Sequence, residues 1–290
     1  MLTPTRIYIS VPNDGRLQPD QLDIKKGIMD KIRLAGFEPQ EFKVCGDLAH
    51  IPWSFDNVQY KLGRCQGAAI LGLIRWDVWD AQNKYRFITA YNHYEGALAL
   101  AKDLPTLILM HEDAHKAGIA TKGRAQYFVR LPDMVNPSWL QTDPFQSKFD
   151  EWVDKLKNRH HIFFGYSGRA QGTANKIRDY LHGNGVSVMD GMLDFNPATS
   201  RMEEIERASK SCMGGIFLFT KNDETITGDS INFEAGYFMH AKGTGKTLMI
   251  VEDGAKLPAG LGGRAYLPLQ NQDNISSVEK DLENFIVNNL

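Results

Sequence analysis

Two glutamates stand where a carboxylate could do chemistry. Glu95 lies in YNHYEGALALAKDLPTLILM and Glu234 in NFEAGYFMHAKGTGKTLMIVED. Each is followed by small residues and set on an expected helix between two apolar runs. A carboxylate so placed can attack the anomeric carbon of an N-riboside, or stabilise the positive charge that develops there as the base departs. The bland reading of Glu234 is a helix-start acid favoured by the helix dipole, and on spacing alone both readings stay open.

The two glutamates are counterparts because the chain repeats itself. KLGRCQGAAILGLI, the Glu95 segment and KGRAQYFVRLP match ASKSCMGGIFLFT, the Glu234 segment and GGRAYLPLQ. Cys65 pairs with Cys212, Leu107 with Leu248 and Arg124 with Arg264, and upstream TRIYISVPND lines up with HHIFFGYSGR. The second copy is the compact one. The first has extra length around HIPWSFDN and RWDVWDAQNKYRF, aromatic insertions that suit a pocket wall, an interface or a sheet edge.

The elements that must position the glutamates follow from apolar patterning. In copy one, Ile7 to Val11 reads as a strand ended by Pro12-Asn13-Asp14-Gly15. A helix closed by Gly36 follows, then a strand over Phe37–Val44, a helix over Asn57–Cys65, the buried run GAAILGLI, a helix from Tyr91 and the strand PTLILM. Copy two gives HIFFGY, a helix from Gly172 to His182, GVSVMD, the helix MEEIERASKS, GGIFLFT, a helix starting at Asn232 and TLMIVED. Alternating strands and helices predict mainly parallel sheets, hence an α/β chain of two tandem flavodoxin-like domains. At 290 residues, two domains of roughly 140 residues are the expected size. The boundary falls near Asn158, giving 1–158 and 159–290.

In open parallel sheets, ligands sit at the carboxyl ends of the strands. Ser167, Gly168 and Arg169 after the first strand of copy two, Asp190 after the second, and Asn232 with Glu234 should meet there. Backbone N–H groups and Arg169 could hold phosphates, and Asn232 could orient Glu234 or a ribose hydroxyl. Glu95, with Asn92 and Tyr8, is the second candidate site. The run GTGKT at 243–247 precedes a strand instead of following one, so it reads as a turn and not a phosphate loop. His111 and His115 flank Glu112-Asp113 and read as a surface cluster, not a metal site. Trp53, Trp76 and Trp79 read as core or interface, with base stacking as the functional alternative.

Composition narrows the class. With 42% hydrophobic and 23% charged residues and a formal net charge of −2, a broad duplex-binding surface is not expected. Cys45, Cys65 and Cys212 lack metal-ligand spacing and suggest a reducing compartment. The start, MLTPTRIYIS, lacks signal-peptide character, and no apolar run approaches the roughly 20 residues needed to span a bilayer. A cytoplasmic protein without membrane or nucleic-acid partners is the expectation.

From His161 to Gln270 the chain resembles the TIR-like nucleotide-binding proteins of bacterial anti-phage defence, a branch of the TIR NADases. YSGRA, RMEEIERASKS and NFEAGYF carry the resemblance. It implies NAD as substrate, Glu234 as the catalytic carboxylate, Ser167, Gly168 and Arg169 as nucleotide contacts, no metal or cofactor, and homo-oligomerisation. Ala170-Gln171 stand where that family commonly has an acidic residue after Gly-Arg. Copy one resembles the nucleoside 2-deoxyribosyltransferase-like proteins, and TIR-like domains equally, through RIYISVP and YNHYEGALALAKDLPTLIL. The first resemblance implies Glu95 as a nucleophile, and a degenerate, nucleotide-binding regulatory copy is the other reading. NAD hydrolysis or cyclisation by Glu234, a non-catalytic nucleotide sensor, and a deoxyribosyltransferase acting through Glu95 are the three functions in view.

Overall fold

The computed structural model describes residues 5–42, 53–133, 136–196, 198–221, 226–255, 257 and 266–290. Cys45, Arg264, Pro197 and part of the HIPWSFDN insertion lie outside them. Contacts divide the chain into two compact units, Pro4–Asn158 and Arg159–Leu290.

In the N-terminal unit the order is β1 (Arg6–Ser10), α1 (Pro19–Leu34), β2 (Glu38–Glu41), α2 (Phe55–Gly63) and β3 (Gly67–Gly72). It continues with the hairpin strands β4 (Trp76–Trp79) and β5 (Lys84–Phe87), then α3 (Ala90–Ala101), β6 (Thr106–His111), β7 (Tyr127–Leu131) and α4 (Asp143–Lys157). The C-terminal unit has β8 (His160–Gly165), α5 (Gln171–Gly183), β9 (Val188–Asp190), α6 (Arg201–Ser211), β10 (Cys212–Phe219), α7 (Ile226–Lys242), β11 (Thr247–Glu252), β12 (Leu267–Leu269) and α8 (Ser276–Asn289).

The main sheets run β2-β1-β3-β6-β7 and β9-β8-β10-β11-β12, and every neighbouring pair in them is parallel. Both are therefore the 2-1-3-4-5 order of flavodoxin-like folds. The register is explicit at the central pairs: Ile7 opposes Gly67 and Ser10 opposes Ile70, while Ile162 opposes Gly214 and Gly165 opposes Phe217.

Helices cover both faces of each sheet, which is why the central strands read as unbroken apolar runs. Ile7, Ile9, Leu107 and Leu109 meet α1 and α4 through Ile28, Ile32, Phe145 and Trp152, while Tyr8, Ile70 and Ile108 turn to the face holding Val58, Leu62 and Ala99. In the C-terminal unit Ile162, Phe164 and Ile216 pack on Ile177, Leu181, Leu282 and Ile286. Phe163, Phe217 and Met249 face α6 and α7 through Ile205, Ala208, Ala235 and Phe238.

Several boundaries differ from the sequence reading. Helix α2 begins at Phe55, not Asn57, because Ser54 caps it by accepting from the Asn57 N–H. Helix α7 begins at Ile226, not Asn232; Thr227, Gly228, Asp229 and Ser230 are weak helix formers, and the apolar pattern starts only after them. His111 is not on a surface loop: it ends β6 and is buried. The RWDVWDAQNKYRF insertion is an antiparallel hairpin closed by Asp80, which accepts the N–H groups of Gln82 and Asn83 at 2.8 and 2.6 Å. GTGKT is the turn after α7, with Gly243 at φ 88° leading into β11. Among the described residues no helix is long and apolar enough to cross a membrane.

Phe163 is fully buried and stacks on Phe195 and Phe238 at 5.6 and 4.9 Å, with Phe217 at 5.8 Å. Phe163→Ala removes the centre of that group, so chemical denaturation should show a loss of about 3–5 kcal/mol in the C-terminal unit.

Candidate active site

In a 2-1-3-4-5 sheet the chain leaves the first strand in opposite directions, and a crevice opens outside the carboxyl ends of the first and third strands. In the N-terminal unit these are β1 and β3, and in the C-terminal unit β8 and β10. Both glutamates project under these strand ends.

Glu234 is 1% exposed. It sits eight residues after the first residue of α7, which removes the helix-start explanation, because dipole effects fade beyond the first turn. Its Oε1 accepts from Arg201 Nε at 2.7 Å and from Arg201 Nη2. Arg201 Nη1 also donates to the Gly191 carbonyl at 3.2 Å, and the guanidinium lies 4.4 Å from the Phe195 ring centroid. Oε2 is buried and has no hydrogen-bond partner among the described residues. It faces Gly165, where a Cβ would come within 3.0 Å of it and 2.7 Å of Phe217. Burial pushes the Glu234 carboxyl above its ordinary value, against the opposing pull of Arg201.

The other expected residues divide. Ser167 is buried just after β8, its hydroxyl unpartnered among the described residues. Gly168 and Arg169 form the exposed turn that follows, and Gly168 faces Met192 across the crevice. Asp190 is drawn into the framework: its carboxylate accepts from Tyr166 Oη at 2.8 and 3.0 Å, Arg178 Nη1 at 2.7 Å and the N–H groups of Met192 and Leu193. It shapes the 190–194 loop. Asn232 does not reach Glu234, since two residues along a helix turn a side chain by about 200°. The residue is half-buried, and its buried amide oxygen has no partner among the described residues.

In the N-terminal unit, buried Glu95 accepts from Trp53 Nε1 at 3.1 Å. Burial raises its pKa, against the pull of the nearby Ser10, Trp53 and Tyr8 groups. Burial and the Glu95 charge push the Tyr8 phenol upward as well, although no well-formed hydrogen bond reaches its hydroxyl among the described residues. Asn92 donates to Ser10 at 2.9 Å and accepts from the helix cap Thr89 at 2.7 Å, tying the start of α3 to the end of β1. Trp53 also packs on Tyr91 and Tyr94 at 4.7 and 5.1 Å. Trp76 and Trp79 are exposed on β4 instead.

The two sites share a plan that residue spacing did not reveal. Each glutamate is held by a donor at the start of the helix preceding the third strand: Trp53 beside the cap Ser54, and Arg201 beside the cap Ser200. Neither donor role was foreseen, although the capping signal at Ser200 and Glu203 marks the place. In each unit a base on the first helix also meets an acid at the end of the second strand, Lys25 with Glu41 at 2.6 Å and Arg178 with Asp190 at 2.7 Å. They differ after the first strand. Asp14, paired with Lys25, stands where the other copy carries Arg169.

His111, Asp113 and Asp133 place ligand-type atoms within 4.8 Å of one another. Arg86 already supplies the cation, reaching Asp113 at 3.0 Å and Asp133 at 2.5 Å. Both His111 nitrogens are engaged, by the Asp113 N–H and the Asp133 carboxylate, each at 3.1 Å. Burial, with Arg86 close by, lowers the imidazole pKa against the opposing pull of Asp133 and Asp113.

Residues 161–271 match the family model described as CAP12/Pycsar effector protein, TIR domain. That match lies wholly in the C-terminal unit, which is thus TIR-like. Among solved structures, the TIR domain of the Toll-related receptor TRR-2 from Hydra magnipapillata is 14% identical and aligns with a TM-score of 0.36 over 44% of this chain and 98% of that chain. No curated protein matches the chain.

The raised Glu95 pKa has a definite sign in stability. The folded state keeps a proton that the unfolded state loses above about 4.5, so this contribution is complete below that pH and is lost as pH rises through the folded value. Glu95→Gln should therefore gain stability over the parent as pH rises from 4.5 and show no gain below it. Thermal unfolding of both across that range checks this; a pH-independent difference would refute it.

Proposed function

We propose that the C-terminal unit cleaves the nicotinamide–ribose bond of NAD, with Glu234 as the catalytic carboxylate, and that it serves as an effector in bacterial anti-phage defence. The observation that carries this reading is one buried glutamate with an unpaired oxygen, set at the switch-point crevice of a segment that matches a TIR effector family.

The chemistry needs little else. As the C1′–N bond breaks, its electron pair passes to the pyridinium ring and neutral nicotinamide leaves. Positive charge builds at C1′ and the ring oxygen, where an ionised Glu234 stabilises it. Water then adds to C1′ and loses a proton, giving ADP-ribose; attack by a nitrogen of the substrate's own adenine would give a cyclic product. The turn of Ser167, Gly168 and Arg169 offers N–H groups and a cation for the diphosphate. The N-terminal unit suits that anion less, because Asp14 replaces Arg169 there, and we assign it an accessory, ligand-sensing role. Free cellular NAD hydrolysis would be toxic, and assembly into a homo-oligomer is a means of restraining it.

Chromatography of NAD incubated with the full chain at high concentration tests the assignment. Nicotinamide release should fall about 100-fold or more in Glu234→Gln, the usual scale for losing an electrostatic catalyst, and persist in Glu95→Gln. Loss in Glu95→Gln alone would move the reaction to the N-terminal unit. NAD binding without release from any variant would favour a sensor. Because the carboxylate must be ionised, the rate should also rise with pH along a limb displaced above the ordinary glutamate value.

A further inference from the structure

The Arg201–Glu234 pair is lopsided. The carboxylate is 1% exposed while the arginine side chain is 43% exposed, so the acid cannot leave its place and the guanidinium can. Two of the arginine's nitrogens are spent on Oε1, and a third holds the Gly191 carbonyl. With Oε2 turned against Gly165, neither oxygen of Glu234 is open to a sugar. The same guanidinium lies at the mouth of the crevice. Gly191, which it touches, precedes Met192, the residue that faces Gly168 in the turn bearing Arg169.

A guanidinium fork fits a phosphate as well as it fits a carboxylate, through paired N–H donors. We propose that Arg201 is a latch on Glu234 which a diphosphate-bearing substrate opens, the guanidinium passing from the carboxylate to the phosphate oxygens and uncovering the acid beside the bound anion. The identity of the substrate rests on the NAD reading given above; the exchange itself does not. The latch makes Arg201 a specificity-determining residue. A nucleoside with the same base and ribose but no phosphate supplies no competitor for the guanidinium and leaves Glu234 covered. A ligand shifts such an equilibrium only by its differential affinity for the two states, and here the phosphate supplies that difference.

The exchange predicts that Glu234 weakens anion binding by competing for Arg201. Calorimetric titration of the full chain with inorganic pyrophosphate tests this without any turnover. Glu234→Gln, which keeps the shape of the side chain and removes its charge, should bind pyrophosphate roughly tenfold more tightly or better, the low end of coupling between close charge pairs. The gain should vanish in the double variant Glu234→Gln, Arg201→Gln. Arg201→Lys, which keeps the charge without the fork, should fall between them when combined with Glu234→Gln. Equal affinity in the parent and Glu234→Gln would overturn the latch, as would a gain that survives removal of Arg201. Nicotinamide release separates this from the function. A gain in affinity without release from the parent chain sinks the NAD reading and leaves the latch, and release without a gain does the reverse.

Discussion

A carboxylate in the middle of a helix, pressed under parallel strands and almost sealed from water, must be given a partner or kept neutral, because an isolated buried charge is expensive. The fold answers this demand once in each unit. Glu95 receives an indole N–H from Trp53, and Glu234 receives a guanidinium from Arg201. Much of the local architecture follows. The helix before the third strand must begin where its first residues can reach the acid, which fixes the caps at Ser54 and Ser200. The first strand must end on something small enough to leave the acid room, Ser10 in one unit and Gly165 in the other.

Those two strand-end residues account for much of the difference between the sites. Ser10 carries a hydroxyl that accepts from Asn92 and neighbours Glu95, so the N-terminal carboxylate is wrapped in neutral polar groups. Gly165 offers nothing, and Oε2 of Glu234 is left without a partner among the described residues. An unpaired buried oxygen beside a displaceable arginine is a poor arrangement for stability. Such an arrangement suits a group whose task begins when something else arrives.

The framework was legible in the sequence because burial on both faces writes parallel strands as apolar runs, and because the duplication supplied a second reading of each. Glu95 and Glu234 stood out for the same reason. What could not be read was local geometry set by tertiary contact. Helix α7 begins among Thr, Gly, Asp and Ser, where propensity argues against a helix. His111 looked like part of an acidic loop, although it ends a strand and its ring is held by Asp113 and Asp133. Asn232 lies close to Glu234 in sequence yet leaves the helix on another side. Asp190 looked available until Tyr166 and Arg178 claimed it. Arg201, the residue that governs access to Glu234, is one arginine among many in the sequence. Only the approach of α6 to α7 marks it out.

The opposite signs of Asp14 and Arg169 belong to water, unlike the pairs beneath them. Both lie on exposed turns after the first strand, so the repulsion by one and the attraction by the other of an approaching anion are screened over a Debye length of about 8 Å at physiological ionic strength. The Arg201–Glu234 contact, with its acid sealed inside the fold, is screened far less. Salt thus acts on capture and leaves the inner contact almost untouched. A cell that changes its ionic strength would alter how often an anion is drawn to the crevice, and hardly alter what happens once it is inside.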